Sequence, residues 1–250
     1  MQPKWLGWAL CILMVYAPTT WANHLTKLIH HAKQGDTVAQ TDLGTKYMLG
    51  EGVDIDYREA GVWYRMAAQK GNPLAQYNLG LMYAYGEGMP VNFKEASKWF
   101  VKAAQQGDVP AQFNVGLMYA NGHGLPRHYQ EAFKWFHKAA ERGHSTAQLN
   151  VGLMYLKGEG ITKNPEEAVK WFRLAAVQGN ANAQYHLGVC YYEGEEVKKN
   201  DQEAYLWFAL AAAQGDTDAH GYLDKLEKEL TPAQIAAAQK RTAEWHRIIQ

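Results

Sequence analysis

Residues 75–110 read AQYNLGLMYAYGEGMPVNFKEASKWFVKAAQQGDVP, and this stretch returns with changes every 36 residues. Ala39, Ala75, Ala111, Ala147 and Ala183 open five copies with no insertion or deletion, and glutamine follows each. Counting that alanine as position 1, glycine holds position 6 (Gly44, Gly80, Gly116, Gly152, Gly188) and tyrosine position 9 (Tyr47, Tyr83, Tyr119, Tyr155, Tyr191). Glycine returns at positions 12, 14 and 33, with Glu196 breaking the position-14 column. Tryptophan holds position 25 as Trp63, Trp99, Trp135, Trp171 and Trp207. A fixed period of this length marks a stacked-repeat protein, whose single units cannot bury their apolar faces alone.

Within a copy the spacing predicts two helices. The first runs from the Ala-Gln pair to the Gly-x-Gly, with apolar residues at positions 1, 5 and 9. Glycine stops it, because the left-handed turn carries no Cβ penalty there. The second opens at a capping box: Asp56, Asn92, Asn164 and Asn200, with Glu59, Glu95, Glu167 and Glu203 three residues on. His128 with Glu131 is the departure, and Pro165 falls at a first helical position, where it is tolerated. An apolar stripe at i, i+3, i+4, i+7 and i+8 follows. Tandem stacking of such pairs predicts an all-α, right-handed α/α superhelical solenoid. Its five helix-turn-helix repeats are 39–74, 75–110, 111–146, 147–182 and 183–218. On this reading the tryptophans and tyrosines fill the gaps between pairs, so Trp135→Ala costs about 3–5 kcal/mol. Gly116→Val jams a close helix contact at roughly 1–3 kcal/mol.

The ends depart from the repeat. Residues 23–38 match the second half of a copy, with Ala32 and Gly35 in register and Lys27 in the tryptophan column, which predicts an N-terminal capping helix. Residues 219–250 form a C-terminal cap of two helices. The first runs to Leu230 without the glycines; the second is opened by Thr231-Pro232 with Gln234 and carries Ile235, Trp245 and Ile248 beside Lys240, Arg241, Glu244 and Arg247. Residues 1–22 read as a signal peptide: Lys4, an apolar run from Leu6 to Ala17, then Thr20-Trp21-Ala22 as cleavage site. That run falls short of the ~20 residues that span a bilayer. The expectation is a periplasmic or secreted protein, touching membrane only through an uncleaved leader.

Composition narrows the function. The 250 residues carry 25 basic and 25 acidic side chains, so no basic excess marks a nucleic-acid binder. Two cysteines, Cys11 and Cys190, exclude a disulfide scaffold and a four-cysteine zinc site. Cys190 reads as a small buried hydrophobe.

The unit A-Q-x-N-L/V-G-x-M-Y-x-x-G-x-G, followed by A-x-x-W-F-x-x-A-A-x-x-G, closely resembles the Sel-1-like repeat family, relatives of the tetratricopeptide repeats. Ala75–Gly88 and Ala147–Gly160 carry it most clearly. The resemblance implies an α/α solenoid serving as scaffold or adaptor, often exported in bacteria and acting in the envelope or at host contact. A cysteine-rich branch is β-lactamase-like or penicillin-binding and joins its helices by a cysteine pair in each repeat. This chain lacks those pairs.

At 100° per residue, positions 1, 2, 5, 6, 9 and 12 of the first helix share one side, which packing explains. Positions 3, 4, 7, 10 and 11 oppose them, and the tetratricopeptide resemblance places that arc on a concave groove. Position 4 is a polar ladder of Asp42, Asn78, Asn114, Asn150 and His186. Beside it run Tyr77, Phe113 and Tyr185 at position 3 and Leu81, Leu117 and Leu153 at position 7. Positions 10 and 11 vary most and include Tyr85, Asn121 and Tyr192. An asparagine amide both donates and accepts, so one per repeat suits the backbone of an extended peptide. The same amides equally suit bonds within the solenoid.

Four histidines, His123, His128, His137 and His144, crowd the third repeat without a metal-ligand spacing on one helix face. The Gly-x-Gly loops lack the lysine of a phosphate loop, and no Ser-x-x-Lys occurs. The sequence therefore predicts a non-enzymatic module that binds a protein or peptide on its concave face, with no metal, cofactor or nucleic acid. The alternative, from the resemblance, is a cell-wall-associated β-lactamase-like or peptidoglycan- or penicillin-binding protein.

Overall fold

Side-chain caps and left-handed glycines divide the chain, in a computed structural model, into thirteen helices among the described residues, 24–195 and 197–249. The leader expected over 1–22 lies outside those residues. The helices form two compact units. The first, residues up to Ala111 with His123–Leu125, holds α1 (24–33), α2 (Thr37–Leu49), α3 (Tyr57–Gln69), α4 (Pro73–Tyr85) and α5 (Phe93–Gln105). The second, Gln112–Gly122 and Pro126 onward, takes in most of α6 (Val109–Asn121), followed by α7 (Tyr129–Glu141), α8 (Ser145–Lys157) and α9 (Pro165–Ala176). It ends with α10 (Ala181–Glu193), α11 (Asp201–Ala212), α12 (Thr217–Glu229) and α13 (Pro232–Ile249). Within each unit an even helix pairs with the odd helix after it, as in α4 with α5 and α8 with α9, and the odd helix packs on the next even one.

The even helices begin two residues ahead of the Ala-Gln pair. Asp36, Asn72, Asp108, His144, Asn180 and Asp216, at position 34, accept the N–H of the alanine three residues on. This second column of caps, Asp, Asn or His three residues ahead of each repeat alanine, is legible in the sequence. The odd helices start at Asp56, Asn92, His128, Asn164 and Asn200, each accepting from the third residue on. Their capping boxes close on one side only. The N-cap N–H goes to the position-9 tyrosine carbonyl, from Asp56 to Tyr47 at 3.0 Å through Asn200 to Tyr191 at 2.9 Å. The glutamates turn elsewhere, Glu59 to the Trp63 indole N–H and Glu95, Glu131 and Glu167 to lysines three residues on.

The core ring is position 26, one residue beyond the tryptophans. Tyr64, Phe100, Phe136, Phe172 and Phe208 are at most 2% exposed. Each lies flat against the position-6 glycine of its own pair. A Cβ on Gly116 would stand 2.5 Å from Phe136 Cδ1, and one on Gly80 2.7 Å from Phe100 Cδ1. Trp99, Trp135 and Trp171 are only half-buried, with Lys102 and Lys138 each 4.3 Å above the rings of Trp99 and Trp135. The gap-filling role expected of Trp135 thus belongs to Phe136. The glycine admits a ring in its plane, and in these three repeats the bulkier indole is left at the rim, whereas Trp63 and Trp207 are buried in the clusters at the two ends.

Buried glutamines at position 2 tie the pairs together. Gln40, Gln76, Gln148 and Gln184 donate to the carbonyls of Ala32, Ala68, Ala140 and Ala176, near the end of the preceding odd helix. Their side-chain carbonyls accept in turn, Gln76 from Gln106, Gln148 from Gln178 and Gln184 from Gln214. One amide thereby adds a second bond to a carbonyl that already accepts the N–H of a turn glycine, and anchors the end of its partner helix.

At the N-terminal end Leu25, Leu28, Ile29 and Ala32 pack with Leu43 and Trp63. At the other end Thr231 and Gln234 close a reciprocal capping box at the start of α13. Trp245 of α13 meets Trp207 edge to face, centroids 5.3 Å apart. Cys190 is buried in the same cluster.

Candidate protein-binding face

Positions 3, 4, 7, 10 and 11 lie along the even helices, half of each turned from the core. In the first unit Tyr77 tilts onto Phe100, centroids 5.8 Å apart. Asn78 hydrogen-bonds the hydroxyl of Tyr64, which also lies 3.0 Å from Thr45 Oγ1. Burial holds the Tyr64 phenol above its ordinary value against both bonds. Asp42 is exposed, Leu81 half-buried, and Tyr85 stands 70% exposed at the end of α4.

In the second unit Phe113 packs on Phe136 at 5.7 Å and stacks on His144 at 4.5 Å. The Asn150 amide donates to the Thr146 carbonyl one turn back, at 2.7 Å. His186 stacks on Phe172 at 5.3 Å and meets Tyr185 edge to face. Asn114, Leu117 and Leu153 are half-buried, and Asn121 is exposed. Tyr192 donates to Glu229 at 3.1 Å and contacts Tyr222, which itself stacks on Phe208 at 4.6 Å.

A rule joins these contacts. The position-3 side chain rests on the position-26 ring of its own pair, as in Tyr77, Phe113 and Tyr185. The position-4 side chain meets the ring of the preceding pair, as Asn78 does Tyr64, His186 does Phe172 and Tyr222 does Phe208. These half-buried side chains therefore brace the core on one edge and offer the other outward, whereas Thr41 and Leu149 at position 3 are buried. Tyr222 and His144 belong to this face although the sequence reading left both out. Tyr222 hides because the sixth Ala helix lacks the glycines that mark a repeat.

Burial, ahead of the nearby Lys157, lowers the His186 imidazole below its ordinary value, with Asp216 opposing; burial lowers His144 as well. Burial favours the neutral form of both, and His144 Nδ1 is unprotonated where it accepts the Ala147 N–H. The other clustered histidines serve locally. His123 stacks on Phe93, His128 caps α7, and His137 lies against Trp171 and Glu141. No group of three or more histidine, cysteine, aspartate or glutamate residues among the described residues is arranged to hold a metal ion.

Helical hairpins stacked on glycine-seated rings, with a variable face along the first helix of each, define an α/α-repeat protein. The Sel1 repeat model matches residues 37–72, 73–108, 109–144, 145–180 and 181–216, and the chain belongs to that family. Each match begins at the first residue of an even helix. A protective antigen of uropathogenic Escherichia coli strains, displaying this repeat fold, is 37% identical with a TM-score of 0.79. The match covers 87% of this chain and 48% of the antigen, so the chain spans about half that relative's length. A Sel1 repeat protein of Oxalobacter formigenes is 32% identical with a TM-score of 0.74, over 92% of this chain and 97% of that one. None of the curated proteins matches the chain. The repeat is generally a protein-interaction fold.

Proposed function

We propose that the chain is an exported, non-enzymatic scaffold in the periplasm or secreted space. It holds a protein or peptide partner on positions 3, 4, 7, 10 and 11 of its even helices. One observation carries this reading: the repeated glycines, rings and glutamines are packed into the frame, whereas position 11, different in every copy, is exposed in every copy. The glutamines, ring-seating glycines and caps are consumed by the frame, while Leu49, Tyr85, Asn121, Lys157 and Glu193 at position 11 are all exposed. Exposed aromatic and amide side chains on a rigid frame are what an interface draws on. Export rests on the leader pattern of residues 1–22, and a protective antigen among the relatives accords with it.

Titrating a partner recovered from the native cell against Y85A/N121A tests the face. Affinity is expected to fall at least about tenfold with the melting temperature unchanged. Unchanged affinity removes the face from the account. The β-lactamase-like reading is tested by incubating purified protein with a chromogenic β-lactam, where sustained turnover overturns the scaffold reading.

A further inference from the structure

The outward surface of the odd helices changes character from repeat to repeat. Positions 24 and 28 are Lys98 and Lys102 in α5 and Lys134 and Lys138 in α7, all exposed. α9 is mixed, with Lys170 and Leu174. In α11 they become Leu206 and Leu210, each 1% exposed, in a cluster with Ala238 of α13 that Ile235 and Trp245 flank. Arg241 pairs with Glu203 and Gln239 donates to the Tyr205 hydroxyl, so α13 is a helix laid on that outward surface. In α3 the same two positions are again apolar, yet Val62 is 51% and Met66 38% exposed.

The neighbouring residue sharpens the likeness. Position 23 is Ser97, Phe133, Val169 and Tyr205 in the later repeats but Gly61 in α3, and a cleft of about 270 Å³ opens beside it. A Cβ on Gly61 would meet Met89 Cε at 3.0 Å and Met82 Cε at 3.2 Å. Unbranched thioethers adapt to an incoming side chain, and methionine is favoured on surfaces that receive one. Arg58 and Arg65 line the same cleft. Neither pairs with a carboxylate among the described residues, and Arg65 donates to the Tyr83 hydroxyl.

We propose that this surface of α3 docks an amphipathic helix of an acidic partner protein. The helix sets an apolar side chain into the cleft at Gly61 and carboxylates against Arg58 and Arg65. The charge decides against the α13 helix of a second copy, which carries Lys240, Arg241 and Arg247 with only Glu244 opposing. At its own site that helix pairs with the carboxylate Glu203; in α3 the matching Glu59 is turned to the Trp63 indole, and Arg58 and Arg65 line the cleft.

The probe is a synthetic peptide of residues 232–249 bearing K240E, R241E and R247E, titrated into isotope-labelled full chain and followed by NMR. Saturable shifts are expected at Val62, Met66 and their neighbours. V62K/M66K should weaken the binding at least about tenfold without loss of fold, because α5 and α7 carry lysine at both positions. Equal affinity in that variant overturns the proposal, as does a peptide of unaltered sequence binding α3 as tightly. Sedimentation showing a dimer that V62K/M66K dissolves overturns it in favour of a second copy. Binding seen only once residues 1–23 are removed overturns it in favour of the chain's own leader.

Discussion

Gly116 and Phe136 act as one unit of packing, because the ring occupies the space that any β-carbon would need. Phe136→Ala should cost about 3–5 kcal/mol in urea unfolding, and Trp135→Ala, half-buried one residue earlier, roughly 1–2 kcal/mol. Equal losses would return the core to the tryptophan column. Gly116→Val should cost at least the roughly 1–3 kcal/mol of an overpacked core, since a whole ring must move. The two half-buried imidazoles give a pH test. Both lie below the usual value of about 6.5, so the unfolded chain takes up protons that the native state resists. Their stability contribution is complete above that pH and declines as pH falls below it. H144N/H186N places asparagine where Asn72 and Asn180, or Asn78 and Asn150, already stand in other repeats. Its melting temperature should vary less than wild type between pH ~7 and ~5. An unaltered profile would assign the acid sensitivity elsewhere.

At the scale of the helix, the repeated glutamine does more than fill a packed side. Gln148→Leu takes one of two hydrogen bonds from the Ala140 carbonyl and one of two from the Gln178 amide, and the two losses together should cost about 1–3 kcal/mol by chemical denaturation. A loss within ~0.5 kcal/mol of zero would show that water replaces the bridge. Much of this level was legible beforehand. Periodicity gave the hairpins, the second-helix caps and the Thr231–Gln234 box, since these depend on residues close in sequence. The partner of each capping glutamate was not legible. Glu59 turns to Trp63 and Glu203 to Arg241, choices set by neighbours that only tertiary packing supplies. The ring at position 26 was obscured for a similar reason. Tryptophan and the following aromatic are equally apolar on paper, and only the glycine across the interface tells them apart. On the binding face the residue types were readable, but their division between bracing and display was not. Asn150, bonded into its own helix, and Asn121, exposed, look alike in sequence.

For the whole molecule, the ends decide what the repeats leave open. A chain stopped at Leu230 exposes Leu206, Leu210 and Trp207, and burial of a leucine is worth about 1.5–3 kcal/mol. It should melt lower and bind a hydrophobic dye; unchanged melting would make α13 an appendage rather than a seal. The same logic gives the apolar surface of α3 its meaning, since this chain shows what covers such positions when they are covered. The scaffold reading rests on a division of labour between repeated positions that build and variable positions that recognise. Site-specific photocrosslinking in the native cell tests it most directly, with the reactive group at position 85 or 121 and, as controls, at positions 98 and 134 on the outward surface. The same protein partner should be captured from 85 and 121 and not from the controls. Capture from the controls alone, or from none of the four, would contradict the account.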